Sequence, residues 1–380
     1  MFAGAIPETW DATYHEKMST TRQRDRCRER LEQLSRSNDR VDTFQQQAVL
    51  ELRSVIGFDR WCWPLGDPET LVPGVGIADH DYGPGLPRAL ELEFGGRDFT
   101  TKDAIARRSP PVGSLSTDTH GDLARSARWD EVLRPVGIGD TAILACRDVY
   151  GCWGWFEAHR DSSDGPIADD DLTLLADIAA TLALPLRRDL AQSREPREVE
   201  APPSGTLVLN RDLRLLSQTE PARRWLELLP AAQLFASWGM LPAPLYPVAT
   251  LAREGAGERA RTLVPATAGT WIRIEAAPLM GTDGDIAVTL RSATPKETLD
   301  VLSRAHGLTR RERQLVTLLV GGLDTSAIIR RLSISQYTIQ DHLKSVFAKT
   351  GVRSRRELVA ALSGDSLVAS HAPNGPVDGD

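Results

Sequence analysis

Apolar residues recur along this chain in changing rhythms, and the changes mark its parts. From Val41 the series Val41, Phe44, Ala48, Leu52, Val55 and Ile56 keeps the spacing of one helix face until Gly57 stops it. FDRWCWP follows, an aromatic strand-like run closed by Pro64. A Gly/Pro-rich stretch to about Pro87 leads to a helical stretch at Arg88–Phe94. TAILACRDVY and GCWGWFEAHR then read as the strands of a hairpin turning at Tyr150–Gly151. After the turn-rich SSDGP, DDDLTLLADIAATLALPLRRDL is predicted helical. Its acids lie at the N-terminal end and its arginines at the C-terminal end, as the helix dipole favours. Helix, antiparallel strands and helix predict an α+β domain over 41–192 whose sheet is covered by helices.

The flanking segments are simpler. Residues 1–40 are polar and Arg-rich, with Cys27, Leu31 and Leu34 on one helical face. That half-stripe suits either a solvated leader helix packed on the next domain or a short dimer-forming helix. AQSREPREVEAPPSG is charged and then Pro-rich, which predicts a linker over 193–204. Beyond it, GTLVLNRDLRLLS predicts a hairpin turning at Asn210–Asp212, and PARRWLELL a helix. TWIRIEAAPL and DIAVTLRSA predict two strands around GTDG, giving a second, smaller α+β domain over 205–293.

From 294 to 363 the pattern becomes wholly helical, ahead of a tail over 364–380 expected to be disordered. Thr309 with Glu312 makes a capping box that starts a helix, which Gly321–Gly322 ends. Asp324 or Thr325 caps the next, which carries Ile328, Ile329 and Leu332 inward. Ser333–Ile334–Ser335 is a tight turn whose last serine caps a third helix. That helix buries Ile339, Leu343, Val346 and Phe347, and Gly351 stops it. Ser354 with Glu357 forms a second capping box, opening a fourth helix with Leu358, Val359 and Leu362. Two helices joined by a short turn, the second with a polar outer stripe, make a helix-turn-helix.

Composition adds limits. With 380 residues the chain exceeds what one core usually serves. No apolar run approaches the roughly 20 residues of a membrane-spanning helix, and the N-terminus lacks a secretory signal's pattern. Cys27, Cys62, Cys146 and Cys152 fit neither a CxxC metal pattern nor a disulfide scaffold, which predicts a reducing cytoplasm. The formal charge is −7, but Leu308–Leu362 holds ten Lys/Arg against four Asp/Glu. That segment is therefore +6 and the remainder −13, the footprint of a phosphate-binding module joined to acidic ones.

The C-terminal stretch resembles the LuxR-type (NarL/FixJ-type) DNA-binding domain. The match is carried by Leu308-Thr309-x-Arg311-Glu312, Gly322-Leu323, Ile328, Leu332, Ile334-Ser335, Thr338-Ile339, His342-Leu343, Lys349 and Gly351-Val352-x-Ser354-Arg355, without a gap. On the third helix Tyr337, Gln340, Asp341 and Lys344 fall at i, i+3, i+4 and i+7, opposite the apolar stripe, and so face the major groove. Lys344 suits guanine or a phosphate, Gln340 adenine, and Asp341 can only accept, leaving cytosine N4 as its base partner. The resemblance implies that the positions of Gln340, Asp341 and Lys344 face bases and that Thr338 lies by the backbone. Gln340 stands where the family often has a basic residue, and Asp341 adds a charge that phosphates repel. The expected DNA-binding residues are Ser335, Gln336, Tyr337, Thr338, Gln340, Asp341, Lys344 and Lys349. Lys349 suits a phosphate and also the helix dipole. His342 reads as a packing or capping residue, and Arg353, Arg355 and Arg356 as phosphate neighbours or solvated charges. The resemblance implies a dimer contact for the fourth helix; closing the four-helix core would occupy Leu358, Val359 and Leu362 equally well.

The front resembles, without a sharp motif, a GAF domain over 41–192 and, more faintly, a PAS-like fold over 205–293. The resemblance implies small-ligand sensing or dimerisation and names no ligand. Trp61, Trp63, Trp153 and Trp155 could line a pocket, and Cys62 with Cys152 could form a redox pair; core packing explains these alternating-strand residues more simply. Asp169–Asp171 suit a metal less well than a helix start, and His80, His120 and His159 stand singly. No P-loop, GxGxxG, nucleophile elbow or receiver pattern is present, so no cofactor and no metal is expected. The expectation is a multidomain one-component regulator: an α+β GAF-like domain, a smaller α+β PAS-like domain and an all-α four-helix LuxR-type head. Its expected partners are double-stranded DNA, an unknown small-molecule effector, RNA polymerase and a second copy of the chain, with no membrane. The rival is a redox-active or ligand-converting GAF-fold enzyme carrying a DNA-binding head.

Overall fold

A computed structural model describes residues 8–79, 83–192, 201–266 and 270–363. The chain divides into two compact units, Met1–Ala293 and Thr294–Asp380.

The first unit opens with helices α1 (Glu8–Arg36) and α2 (Val41–Ile56), then strands β1 (Arg60–Gly66) and β2 (Pro73–Ala78). Helices α3 (Leu86–Phe94) and α4 (Lys102–Arg107), strand β3 (Val112–Ser114) and the single turn α5 (Leu115–Asp118) precede the long hairpin of β4 (Ile138–Arg147) and β5 (Cys152–Asp161), and α6 (Asp169–Gln192) closes this part. The sheet is antiparallel in the order β2-β1-β5-β4-β3. A second antiparallel sheet is built from β6 (Gly205–Leu209), β7 (Leu215–Gln218), β8 (Arg261–Pro265), β9 (Trp271–Pro278) and β10 (Ile286–Ser292), in the order β7-β6-β10-β9-β8. Helices α7 (Glu220–Leu228), α8 (Ala232–Ser237) and α9 (Leu245–Arg253) lie between β7 and β8 in the chain.

Two α+β parts are therefore present, as the alternating patterns predicted, but they are fused. Val72, Leu90 and Phe94 of the first share one core with Trp225, Tyr246 and Ile272 of the second. The buried Asp67 accepts from the Leu263 amide at 3.0 Å, and Arg253 pairs with Glu91 at 2.8 Å. The strand reading needs two corrections. β1 does not end at Pro64: it runs on to Gly66 because its pairing with β5 lapses between Cys62 and Leu65, where proline's missing N–H removes no ladder bond. Strands β2, β3 and β8, absent from the predicted set, are all sheet edges. Edge strands are short and one-sided in their pairing, so their alternation is weak.

The leader helix spends its half-stripe inside the chain. Cys27, Leu31 and Leu34 are buried, and α1 lies against α2 and α6. Arg24 pairs with Asp170 at 3.1 Å and Asp171 at 2.8 Å, and Arg28 with Asp177 at 2.8 Å. The acids Asp169–Asp171 thus start α6 and hold α1 to it.

The second unit holds five helices among the described residues, one more than the four predicted for the head. They are α10 (Pro295–Ala305), α11 (Arg310–Val320), α12 (Thr325–Leu332), α13 (Gln336–Thr350) and α14 (Arg355–Ser363). The added α10 starts at a capping box of Thr294 with Glu297, with Pro295 in its first turn. It packs on α11 and α14, burying Leu299, Val301 and Leu302. Fully buried Leu358 and Leu362 close this core from α14.

Candidate nucleic-acid interface

Local chemistry places the turn between α12 and α13. Asp324 caps α12, its carboxylate accepting from the Ala327 amide at 2.7 Å. Ser333 ends the helix in the left-handed region at φ 51°, a conformation that reverses the chain without a glycine. Ser335 then caps α13, its Oγ accepting from the Thr338 amide at 3.0 Å and lying 2.8 Å from Thr338 Oγ1. Arg311 donates to the Leu332 carbonyl at 2.6 Å and Arg355 to the Leu323 carbonyl, so both arginines tie down backbone around α12.

Anchored this way, α13 turns Ile339 and Val346 into the core, with Leu343 and Phe347 half-buried beside them. Gln336, Tyr337, Gln340, Asp341 and Lys344 are exposed, Tyr337 at 74%. An aromatic ring that open to solvent on an otherwise polar stripe makes no contribution to the core. Ser335 is exposed at the start of the same helix and Thr338 is half-buried.

Lys349 stands apart from the stripe. Its ammonium lies 2.7 and 3.0 Å from the carboxylate oxygens of Glu312, 37 residues away on α11. Glu312 also receives the Ser345 hydroxyl at 2.7 Å and the Thr309 amide at 2.6 Å, completing the predicted capping box. Burial alone would push this carboxyl up, but the bonds from Lys349, Ser345 and Thr309 prevail and hold it at about 2. Lys349 is thus engaged as the counter-charge of a buried carboxylate. The second predicted capping box is shifted by one residue: Ser354 Oγ accepts from the Glu357 amide at 3.2 Å, while the Glu357 carboxylate reaches the Arg353 amide at 2.8 Å.

In the first unit the four tryptophans do not form a pocket. Trp63 and Trp155 are fully buried, Trp61 and Trp153 nearly so. Trp63 meets Phe44 of α2 edge-on at 6.0 Å and Phe156 at 5.2 Å between ring centroids. Trp155 donates to the Lys102 carbonyl at 3.0 Å and Trp153 to Asp148 at 3.0 Å. A cavity of about 420 Å³ does exist, but its β1 wall is made by Cys62 and Pro64, the residues that alternate with Trp61 and Trp63. Period-2 alternation put Trp61 and Trp63 on the face of that strand opposite the cavity.

The thiols are quiet. Burial pushes Cys62 and Cys146 well up, Cys152 to about 12 and Cys27 to about 11. We expect none of the four to react with Ellman's reagent at pH 8 as fast as free cysteine, and all four to react after unfolding. One fast thiol in the folded chain would restore the redox-enzyme alternative. The histidines were not all isolated: neighbouring β1 and β5 bring Cys62, Glu157 and His159 together, their donor atoms within 4.8 Å of one another. His80 lies outside the described residues.

No helix among the described residues is long and apolar enough to cross a membrane. Comparison with known proteins adds to this geometry. The sequence profile of the family described as "Bacterial regulatory proteins, luxR family" matches residues 306–362, the stretch from the end of α10 to α14. A protein of Aeromonas salmonicida named as an HTH-type transcriptional regulator is 41% identical over 70 residues, covering 18% of this chain and 33% of its own length. The monoamine regulon transcriptional regulator of Klebsiella aerogenes is 43% identical over 53 residues, 14% of this chain and 23% of that protein. The chain thus spans a third or less of these two relatives. The spore germination protein GerE of Bacillus subtilis is 38% identical over 55 residues, 14% of this chain but 74% of the relative. This relative is thus matched over most of its length, and the chain belongs to the luxR family of bacterial regulatory proteins.

Proposed function

We propose that this chain is a one-component, sequence-specific transcriptional regulator that inserts α13 into the major groove. The observation that carries the reading is the exposed stripe Tyr337, Gln340, Asp341 and Lys344 on a helix whose opposite face is buried, set after a capped turn in a segment of charge +6. Gln340 and Lys344 read base edges, Asp341 selects against phosphate-dominated binding, and Ser335, Gln336 and Thr338 position the helix start on the backbone. Lys349 acts through Glu312 rather than on DNA. The protein works in the cytoplasm as a homodimer on a two-fold site, and RNA polymerase is a further partner. Residues 41–192 are a GAF-like sensor and 205–293 a PAS-like part of the same unit.

Fluorescence anisotropy on a site selected from random DNA tests the groove assignment. Lys344→Ala and Gln340→Ala should each weaken the selected site by about 1–3 kcal/mol. Lys344→Ala should also lower the salt slope by about one if the ammonium meets a phosphate. Asp341→Asn should instead tighten binding to random DNA by about threefold, since it removes a charge that phosphates repel. Parent-like binding by both alanine variants would mean that another surface holds the duplex.

A further inference from the structure

The 420 Å³ cavity of the first unit draws its apolar wall from both α+β parts. Ala89 and Leu90 come from α3, and Leu234 and Phe235 from α8, with Trp238 just beyond it. The charged groups at the cavity answer one another. Lys102 Nζ sits 3.0 Å from Glu93 and 2.7 Å from Glu157. Arg128 lies 3.5 Å from Glu93 and 3.1 Å from Asp98, and it donates to the Phe99 and Thr100 carbonyls. Cys62 donates its S–H to Glu157 at 3.2 Å. His159, whose Nδ1 is 2.9 Å from Thr141 Oγ1, adds a cationic influence on Glu157.

This pairing decides what the cavity accepts. A cationic head group would meet Lys102 and Arg128, and an anionic one Glu93 and Glu157, while the groups of opposite sign are already engaged. An ion of either sign would lose its water against the apolar wall without a partner of its own, at high cost. An uncharged molecule avoids that cost and gains by covering the wall, and 420 Å³ is within the range of small-molecule pockets. Strand β2 supplies a polar contact. It is an outer strand, and the Asp79 amide bonded to the Trp61 carbonyl sets the alternation of its ladder with β1. Gly76 and Ala78 fall between those ladder bonds, so their N–H and C=O groups face away from β1. Both residues line the cavity, and no strand pairs with that edge among the described residues.

We propose that this cavity binds an uncharged amphipathic molecule, with its hydrocarbon part against Leu90, Phe235 and Trp238 and its oxygen hydrogen-bonded at the Gly76–Ala78 edge. The proposal names a ligand class for the sensing role and rests on that role only for its regulatory consequence. Calorimetry on the full-length protein at neutral pH tests the site with three probes of equal length: n-hexanol, n-hexylamine and sodium hexanoate. Hexanol should bind with a dissociation constant below about 1 mM and at least about tenfold more tightly than either ion. Two variants fill the cavity from different elements, Leu234→Trp on α8 and Ala78→Trp on β2. Both positions are exposed, so the fold should tolerate them, which circular dichroism checks. Each should weaken hexanol at least about tenfold. No hexanol binding, an ion bound as tightly as hexanol, or parent-like binding in either folded variant would each overturn the proposal. DNA anisotropy with and without hexanol separates the two levels. Hexanol binding with unchanged DNA affinity keeps the site and removes its effector role, whereas absent hexanol binding with intact DNA recognition removes the site alone.

Discussion

Lys102→Met is expected to destabilise the first unit by about 3–5 kcal/mol, the usual cost of removing one partner of a buried ion cluster. The variant leaves the Glu93 and Glu157 carboxylates, 3.0 and 2.7 Å from the lost ammonium, buried without it. The size of this effect is a large share of the roughly 5–15 kcal/mol that holds a domain together. All nine tryptophans lie before Thr294, so denaturant unfolding followed by tryptophan fluorescence reads the first unit alone. The pH response should weaken. In the parent, burial raises the Glu157 pKa, but Lys102 together with His159 and Arg128 outweighs it and holds the carboxyl well below its ordinary value. Its contribution is therefore complete above the unfolded carboxylate pKa and fades as the pH falls below it. In Lys102→Met only His159 and Arg128 still oppose burial, so the folded pKa rises from its parent position. Protonating Glu157 then relieves part of the loss, and the deficit should shrink as the pH falls. A deficit independent of pH would mean that the ion cluster contributes packing and little charge.

Glu312→Ala should cost the second unit about 3 kcal/mol, the equivalent of holding a carboxyl at about 2 instead of 4.5. One side chain here caps α11 through the Thr309 amide and accepts from Ser345 and Lys349 on α13, so its loss frees a helix start and a helix packing contact together. The contribution is complete above about pH 4.5 and is lost as pH falls toward 2, which is the sign for a depressed carboxyl. Hydrogen exchange of peptides from 308–350 at neutral pH reads this unit, where tryptophan fluorescence is blind. Lys349→Ala should show part of the same loss and little change in the salt dependence of DNA binding. A reduced salt slope in Lys349→Ala would mean that the ammonium leaves Glu312 for a phosphate.

Much of the DNA-binding head was legible because its signals are short-range. Thr309 meets Glu312, Asp324 meets the Ala327 amide and Ser335 meets the Thr338 amide, all within three residues. Helical periodicity then assigned Ile339 and Val346 inward and the Tyr337–Lys344 stripe outward. The same local chemistry could have found α10, since Thr294 and Glu297 repeat the capping-box spacing with Pro295 between them. The fate of Lys349 was not legible, because nothing within its own helix indicates a buried carboxylate on α11.

The front of the chain shows the opposite balance. Strong alternation identified the β4–β5 hairpin, and the paired runs around GTDG identified β9 and β10, yet the weakly patterned edges β2, β3 and β8 were silent. Alternation also cannot say which face of a strand meets a helix and which meets a cavity. Trp63 went to Phe44 and the helices, while Cys62 went to Glu157 and the cavity. By itself, then, the sequence determined the helix-turn-helix and its outward stripe, because caps, turn and helical period act within a few residues. Only the tertiary structure decided the uses of Lys349, Lys102, Glu157 and the tryptophans. Their partners lie tens of residues away, and a side chain's charge and hydrogen bonds are settled by what the fold sets beside it.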